Sequence, residues 1–199
     1  MKRKQLKVMG LSYSQSQVGS YVVVLAEKKG NRKLPVIIKP AEAQNIAVKL
    51  EGIKTGRPLT HDIMKSMTDM FQIDVYEVYI YAVAEGMFYA KMMSTNGLEE
   101  VEVECSIGDA IALSLVYKCP IWIKSDILDQ TGIDLNDDGS EGDSFEEEDT
   151  DVEEKEEVES KTSIEDLDRL MMSAIANEDY EIAAEIRDRI NRLKEEGQE

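Results

Sequence analysis

One histidine, one tryptophan, two cysteines and four prolines are all that this 199-residue chain holds of those types. Each scarcity excludes something. Cys105 and Cys119 are too few and too far apart for a metal knuckle or a disulfide framework, and read as buried thiols in a reducing compartment. With His61 alone, any imidazole chemistry rests on a single residue. No apolar run approaches the roughly 18 residues that a membrane span needs. The basic start MKRKQLKV leads into an alternating pattern rather than an apolar signal core, so the chain is expected to be cytoplasmic, with no membrane association. Net charge is also lacking where a core could form. The formal charge is -18, but residues 133–160 carry -14 and residues 161–199 carry -5, which leaves +1 for residues 1–132. The acidity belongs to a linker and a tail, and overall acidity therefore does not exclude nucleic acid as a partner of the first 132 residues.

What is present divides the chain into three expected segments: a domain over 1–132, a disordered acidic linker over 133–160 and a helical hairpin over 161–199. Residues 5–13 and 20–28 read as strands, and Lys29-Gly30-Asn31 as a turn into a third strand at 34–39. Pro40 suits the first position of a helix running to Glu51, with Ala43, Ile46, Ala47 and Leu50 on its apolar face. Thr60 is expected to cap a second helix whose inner face is Ile63, Met64, Met67 and Phe71. Alternation from Ile73 to Ala84, the turn Glu85-Gly86, and Asn96-Gly97 before VEVEC predict a run of antiparallel strands. A third helix holding Ala110, Ile111, Leu113, Leu115 and Val116 is too apolar to face water, and IWIK closes the domain as a short strand. NIAVKL and AIALSL echo one another at 45–50 and 110–115, which we attribute to similar packing demands rather than duplication.

The linker has Phe145 as its only aromatic residue and cannot build a core. After it, Ser163-Ile-Glu-Asp166 is a capping-box pattern opening a helix with Leu167, Leu170, Met171, Ala174 and Ile175 on one face. A second helix carries Ile182, Ala183, Ile186, Ile190 and Leu193. Such a hairpin buries little by itself and is expected to dock on a copy of itself or on a protein partner. The predicted fold class is α+β: a mixed, mainly antiparallel sheet with three helices, then the linker and the helical hairpin.

The run LPVIIKPAEAQNIAVKLEGIKTGRPLTHD, then GMFYAKM, then DAIALSL and PIWI, resembles the bifunctional nuclease domain over about Lys4 to Leu128. MMSAIANEDYEIAAEIRDRI is similar to the UVR motif of the excision-repair proteins UvrB and UvrC, which mediates protein–protein contact, over about Ser163 to Lys194. Before the third helix, many members of the first family carry Asp-Ala-Arg-Pro-Ser-Asp. Here the segment is Glu104-Cys-Ser-Ile-Gly-Asp109, without the arginine. The resemblance implies hydrolysis of phosphodiester bonds in RNA or DNA, with a divalent ion, Mg or Mn, as cofactor. A nuclease of that kind converges carboxylates on the ion. The candidate ligands are Glu42, Glu51, Asp62 and Asp109, and the candidate catalytic groups are Glu51, His61, Asp62 and Arg57. His61 would carry a proton and Arg57 would clamp a phosphate. Helix-end chemistry competes with this reading: Glu42, Asp62 and Asp109 each fall in a first turn, where a carboxylate is favoured without any substrate. Glu51 opposes the dipole at a helix C-terminus and calls for a function or an ion-pair partner. Tyr76, Tyr79, Tyr81, Phe88 and Tyr89 are read as core or rim rather than as base-stacking platforms. The alternative function is a non-catalytic adaptor that recruits a partner through the hairpin, and a homo-oligomer is expected in either case.

Overall fold

The computed structural model of the chain describes residues 2–14, 17, 19–134 and 163–196. Most of the segment expected to be a disordered linker lies outside these residues. In chain order the elements are β1 (Arg3–Tyr13), β2 (Tyr21–Glu27), β3 (Arg32–Ile38), α1 (Pro40–Leu50), α2 (Thr60–Met70), β4 (Asp74–Ala84), β5 (Met87–Thr95), β6 (Glu100–Cys105), α3 (Ile107–Tyr117), β7 (Ile121–Lys124), α4 (Ser125–Thr131), β8 (Ile133–Asp134), α5 (Ile164–Ala176) and α6 (Tyr180–Glu196). The eight strands form one sheet in the order β6-β5-β4-β7-β1-β2-β3-β8. Every pairing is antiparallel except β4 with β7. The expected α+β class is the one observed.

Period-two alternation decides which face each strand buries. Leu6, Leu25, Leu34, Val36, Val78, Ile80, Ile121 and Ile123 lie on one face and form a single core with Ala43 and Ile46 of α1 and Ala110 and Ile111 of α3. The residues between them, such as Gln5, Lys7, Lys33 and Tyr79, remain exposed or half-buried. Helix α3 is buried along most of its length, as its composition requires. It ends where Lys118 turns left-handed (φ 54°), just before Cys119-Pro120. At Asn96-Gly97 the glycine takes φ +84° and the Asn96 amide oxygen accepts the N–H groups of Leu98 and Glu99, so the turn is closed by its own side chain.

Three local expectations are corrected. Thr60 opens α2 instead of capping it. The cap is Leu59, and the Asp62 carboxylate accepts the cap's own N–H at 3.1 Å. The inner face assigned to α2 is largely outward: no residue of the helix is buried, and Ile63, Met67 and Phe71 are exposed. The helix rests on α3 near one edge of the sheet, so only Met64 and its neighbours find a surface to cover. Finally, the chain continues in order past IWIK. Helix α4 buries Ile127 and Leu128, and Ile133–Asp134 pairs with β3 although it was assigned to the acidic linker. Seven helical residues followed by two strand residues are too short to register as periodicity.

The hairpin α5–α6 forms as expected, with Ser163 Oγ accepting the Asp166 N–H at 3.1 Å. Within one chain its apolar stripe is covered by the chain's own domain. Leu167, Leu170, Ile186 and Ile190 belong to the same core as the sheet. The Asp166 carboxylate accepts the Tyr13 N–H at 3.0 Å, and the Arg169 guanidinium lies 4.8 Å from the Tyr13 ring centre.

Candidate functional site

The N-termini of α1 and α3 meet at Glu42. Its carboxylate accepts the Lys39 N–H at 2.9 Å, as expected of a first-turn acid, and sits 3.0 Å from Ser106 Oγ. Ser106 caps α3 by accepting the Asp109 N–H at 3.1 Å, and its hydroxyl is also 2.9 Å from Asp109 Oδ2. A hydroxyl has one proton, so Ser106 can donate to Glu42 or to Asp109 but not to both at once. A Cβ at Gly108 would stand 2.4 Å from the Glu42 carboxyl carbon, so the Glu42 side chain uses the room that this glycine leaves.

Asp109 faces His61 across the same space. Its Oδ1 is 3.5 Å from His61 Nε2, an ion-pair distance rather than a hydrogen bond. The imidazole is 11% exposed and the carboxylate 48%, so the ring is held while the acid reaches solvent. The two line an open cleft of about 370 Å³ with Asn45, Thr60, Met64, Met92, Val103, Cys105 and Leu113. Its walls are α1, α2, α3 and the β5–β6 edge. Asn45, three residues after Glu42, was not singled out from the sequence, although α-helical spacing puts the two on one face. None of the lining residues is a lysine or arginine.

Cys105 also lines the cleft. Burial, reinforced by the Asp109 charge, pushes its thiol up to about 11, and burial does the same for Cys119. At pH 8 both cysteines are expected to react with iodoacetamide on the order of a hundredfold more slowly than in the unfolded chain, because the thiolate is the reactive form. Peptide mass spectrometry with and without urea measures this, and rapid labelling of the folded chain would contradict it.

The other expected site residues are placed elsewhere. Asp62 is tied to Lys49 at 2.6 Å. Burial pushes its carboxyl up, but the Lys49 hydrogen bond, the Leu59 N–H and the Lys49 and His61 charges outweigh it and hold it below the usual range. An acid with a lowered folded value stabilises above its unfolded value, near 4, and loses that contribution as pH falls through the folded value. The stability difference between the native chain and Asp62→Asn is therefore expected to be constant at neutral pH and to shrink below about pH 4, as followed by urea unfolding across pH. A difference that grows in acid would reverse the assignment.

Glu51 is only 5% exposed and takes both Nε and Nη2 of Arg189, from α6, at 3.4 Å. The acid with no local explanation at the end of α1 is thus explained by the docked hairpin. Arg57 is exposed, with Nε 3.6 Å from Glu181, also of α6. The sequence-expected set accordingly separates: His61 and Asp109 line the cleft, Glu42 meets Ser106 at the cap of α3, Asp62 is tied to Lys49, and Glu51 and Arg57 face the hairpin.

The described residues, as placed, do not form a divalent-ion site. Among the described residues no three His, Cys, Asp or Glu side chains are grouped to hold a metal. Glu42 and Asp62 accept cap N–H groups, and Asp62 and Glu51 face cations. No step through a metal is derived from this arrangement.

An α+β sheet domain with a histidine–carboxylate pair in an edge cleft and a helical hairpin docked on its helix face is the class that the fold and site define. Comparison with known proteins sharpens it: residues 23–136 match the bifunctional nuclease domain, and residues 161–196 match the UvrB/uvrC motif. Two uncharacterized proteins of Mycobacterium tuberculosis, from strains CDC 1551/Oshkosh and H37Rv, are each 31% identical to the chain over 137 residues, which is 69% of this chain and 81% of theirs. The chain belongs to the bifunctional nuclease domain family.

Proposed function

We propose that the chain hydrolyses phosphodiester bonds of single-stranded RNA or DNA in the cleft between α2, α3 and the β5–β6 edge. The observation that carries this is the pairing of the only histidine with Asp109 at the mouth of a cleft. His61 Nε2 takes the proton of the attacking water as oxygen bonds to phosphorus, Asp109 holds the resulting imidazolium, and the ring returns the proton to the departing ester oxygen. Asn45 and the N-terminal turn of α2 at Thr60 face the phosphate, where helix N–H groups favour an anion. The membership supports the reaction class, and the closeness of His61 to Asp109 supports the roles given to them.

The test is cleavage of labelled single strands by purified chain, with and without added magnesium, against His61→Asn carried through the same purification. Loss of cleavage in the variant is expected. Equal cleavage by both proteins would mark a contaminant or another site and overturn the reading.

A second reading is an adaptor that recruits a partner through the hairpin. The matched UvrB/uvrC motif favours it, as does the outward face of the hairpin, where Met172, Ile175 and Tyr180 stay exposed. A full-length chain that captures a partner and cleaves nothing would support it.

A further inference from the structure

The helices pack on one face of the sheet, and among the described residues no helix lies on the other. Register decides what that second face carries. Leu6, Ile121 and Ile123 belong to the core, so Gln5 and Trp122, which stand opposite one another, point away from it, as does Tyr79 beside Trp122. Arg3 and Lys7 flank Gln5 along β1, each about 7 Å away. Arg3 stands opposite Lys124, and Lys7 lies in one row with Ala26 and Lys33. The Lys28 N–H donates to the Gln5 carbonyl at 2.8 Å, which brings a fifth cation to the same place. Arg3 is shared with Glu77 at 2.7 Å and Lys124 with Asp126 at 3.4 Å, whereas Lys7, Lys28 and Lys33 have no acid within ion-pair distance among the described residues. Five cations against two acids is a net of +3, although residues 1–132 sum to only +1. The basic start of the chain is thus spent on the face that no helix covers.

We propose that this patch binds single-stranded nucleic acid, with a base lying on Trp122 and phosphates on Lys7, Lys28, Lys33 and Lys124, on the side of the sheet away from the cleft. Three features select that occupant. The first is charge: phosphate contacts supply most of the affinity for nucleic acid, and the cleft, which no lysine or arginine lines, does not provide them. The second is the ring. Arg3 already covers Tyr79, 4.1 Å from its centre, which leaves Trp122 as the aromatic surface open to a base. Bases paired in a duplex offer no free face for that contact, so the single-stranded form is favoured. The third is shape. Trp122 is half-buried in an interior strand, so a base can lie on it, but it does not project as a residue entering a bilayer must. Binding here is separate from cleavage, since a nucleic acid can be held whether or not it is cut.

Fluorescence of the full-length chain tests it directly, because Trp122 is the only tryptophan. The His61→Asn protein is used throughout so that no cleavage intervenes, with an oligothymidylate of about 20 nucleotides as the probe. The oligonucleotide is expected to quench Trp122. Anisotropy of a labelled oligonucleotide should give an affinity that falls with salt at a log–log slope of about −2 to −3, near 0.7 for each phosphate neutralised. A duplex of the same length should bind more weakly. The Lys7→Glu, Lys33→Glu pair should weaken binding at least about 10-fold and flatten the slope by about 1.4, with a melting curve to check the fold. Lys54→Glu, Lys194→Glu makes the same change of net charge on the loop after α1 and on α6, and should leave both quantities unchanged. Absence of quenching and of binding at about 10 µM protein overturns the proposal. Equal loss in the control pair, or equal affinity for the duplex, overturns it too. Binding to vesicles of phosphatidylcholine and phosphatidylserine in place of the oligonucleotide would give the face to a membrane, and overturns it as well.

Discussion

Cleavage of single-stranded RNA and DNA by the His61→Asn protein is expected to fall by about 100- to 10,000-fold, the range that a positioned general acid–base supplies. Asparagine keeps a hydrogen-bonding group in a site that is 11% exposed, so the fold should persist, and an unchanged melting curve checks it. On the proposed mechanism the loss should appear in kcat, because there the imidazole acts on the proton in flight and not on the bound strand. Asp109→Asn should fall less, since it removes the charge that holds the imidazolium but leaves the base in place. Glu51→Gln, at the hairpin contact, should retain most of the native rate. A His61→Asn protein with native kcat would remove the pair from the mechanism, and a drop in Glu51→Gln as large as that in His61→Asn would move the chemistry toward the hairpin.

The Leu170→Asp, Ile186→Asp double variant is expected to release the hairpin from the sheet domain. Both side chains are fully buried in the shared core, and each substitution would place a carboxylate there with no cation provided for it. The cost of an unpaired buried charge is several kcal/mol, more than one hairpin stripe gains by docking, so release is the cheaper response. Amide exchange in α5 and α6 should then rise at least about 1,000-fold toward that of a free helix, because an isolated hairpin buries too little to persist. Strands β4, β5 and β7 should keep their protection, since their pairing does not involve the hairpin. Protection of α5 and α6 that survives both substitutions would mean that the hairpin is not held by this core. Simultaneous loss in β4 and β5 would mean that the hairpin and the sheet form one cooperative unit.

Much of the architecture was legible because its causes are local. Asn96-Gly97 closes its turn with its own amide, Ser163 caps α5 through a residue three positions on, and α3 is too apolar to lie anywhere but inside. Glu42 and Asp62 were read as first-turn acids, and both do accept the N–H of their caps. Helix α2 was misjudged for the complementary reason. Its stripe announces an amphipathic helix, but periodicity does not say whether a surface exists for that stripe to meet. Helix α4 and strand β8 were missed because seven and two residues carry too little pattern.

By itself the sequence determined the longer elements, the sheet class, the membership of the domain and the hairpin, and the presence of unexplained polarity at Glu51, Arg57 and His61. Only the tertiary structure decided what those three residues meet. Glu51 finds Arg189, 138 positions away, Arg57 faces Glu181, and His61 finds Asp109 from the start of the next helix. Helix and strand propensities act over a few residues and are written in local order. An ion pair needs only two charges brought within about 4 Å, and which two are brought together depends on how every intervening element packs.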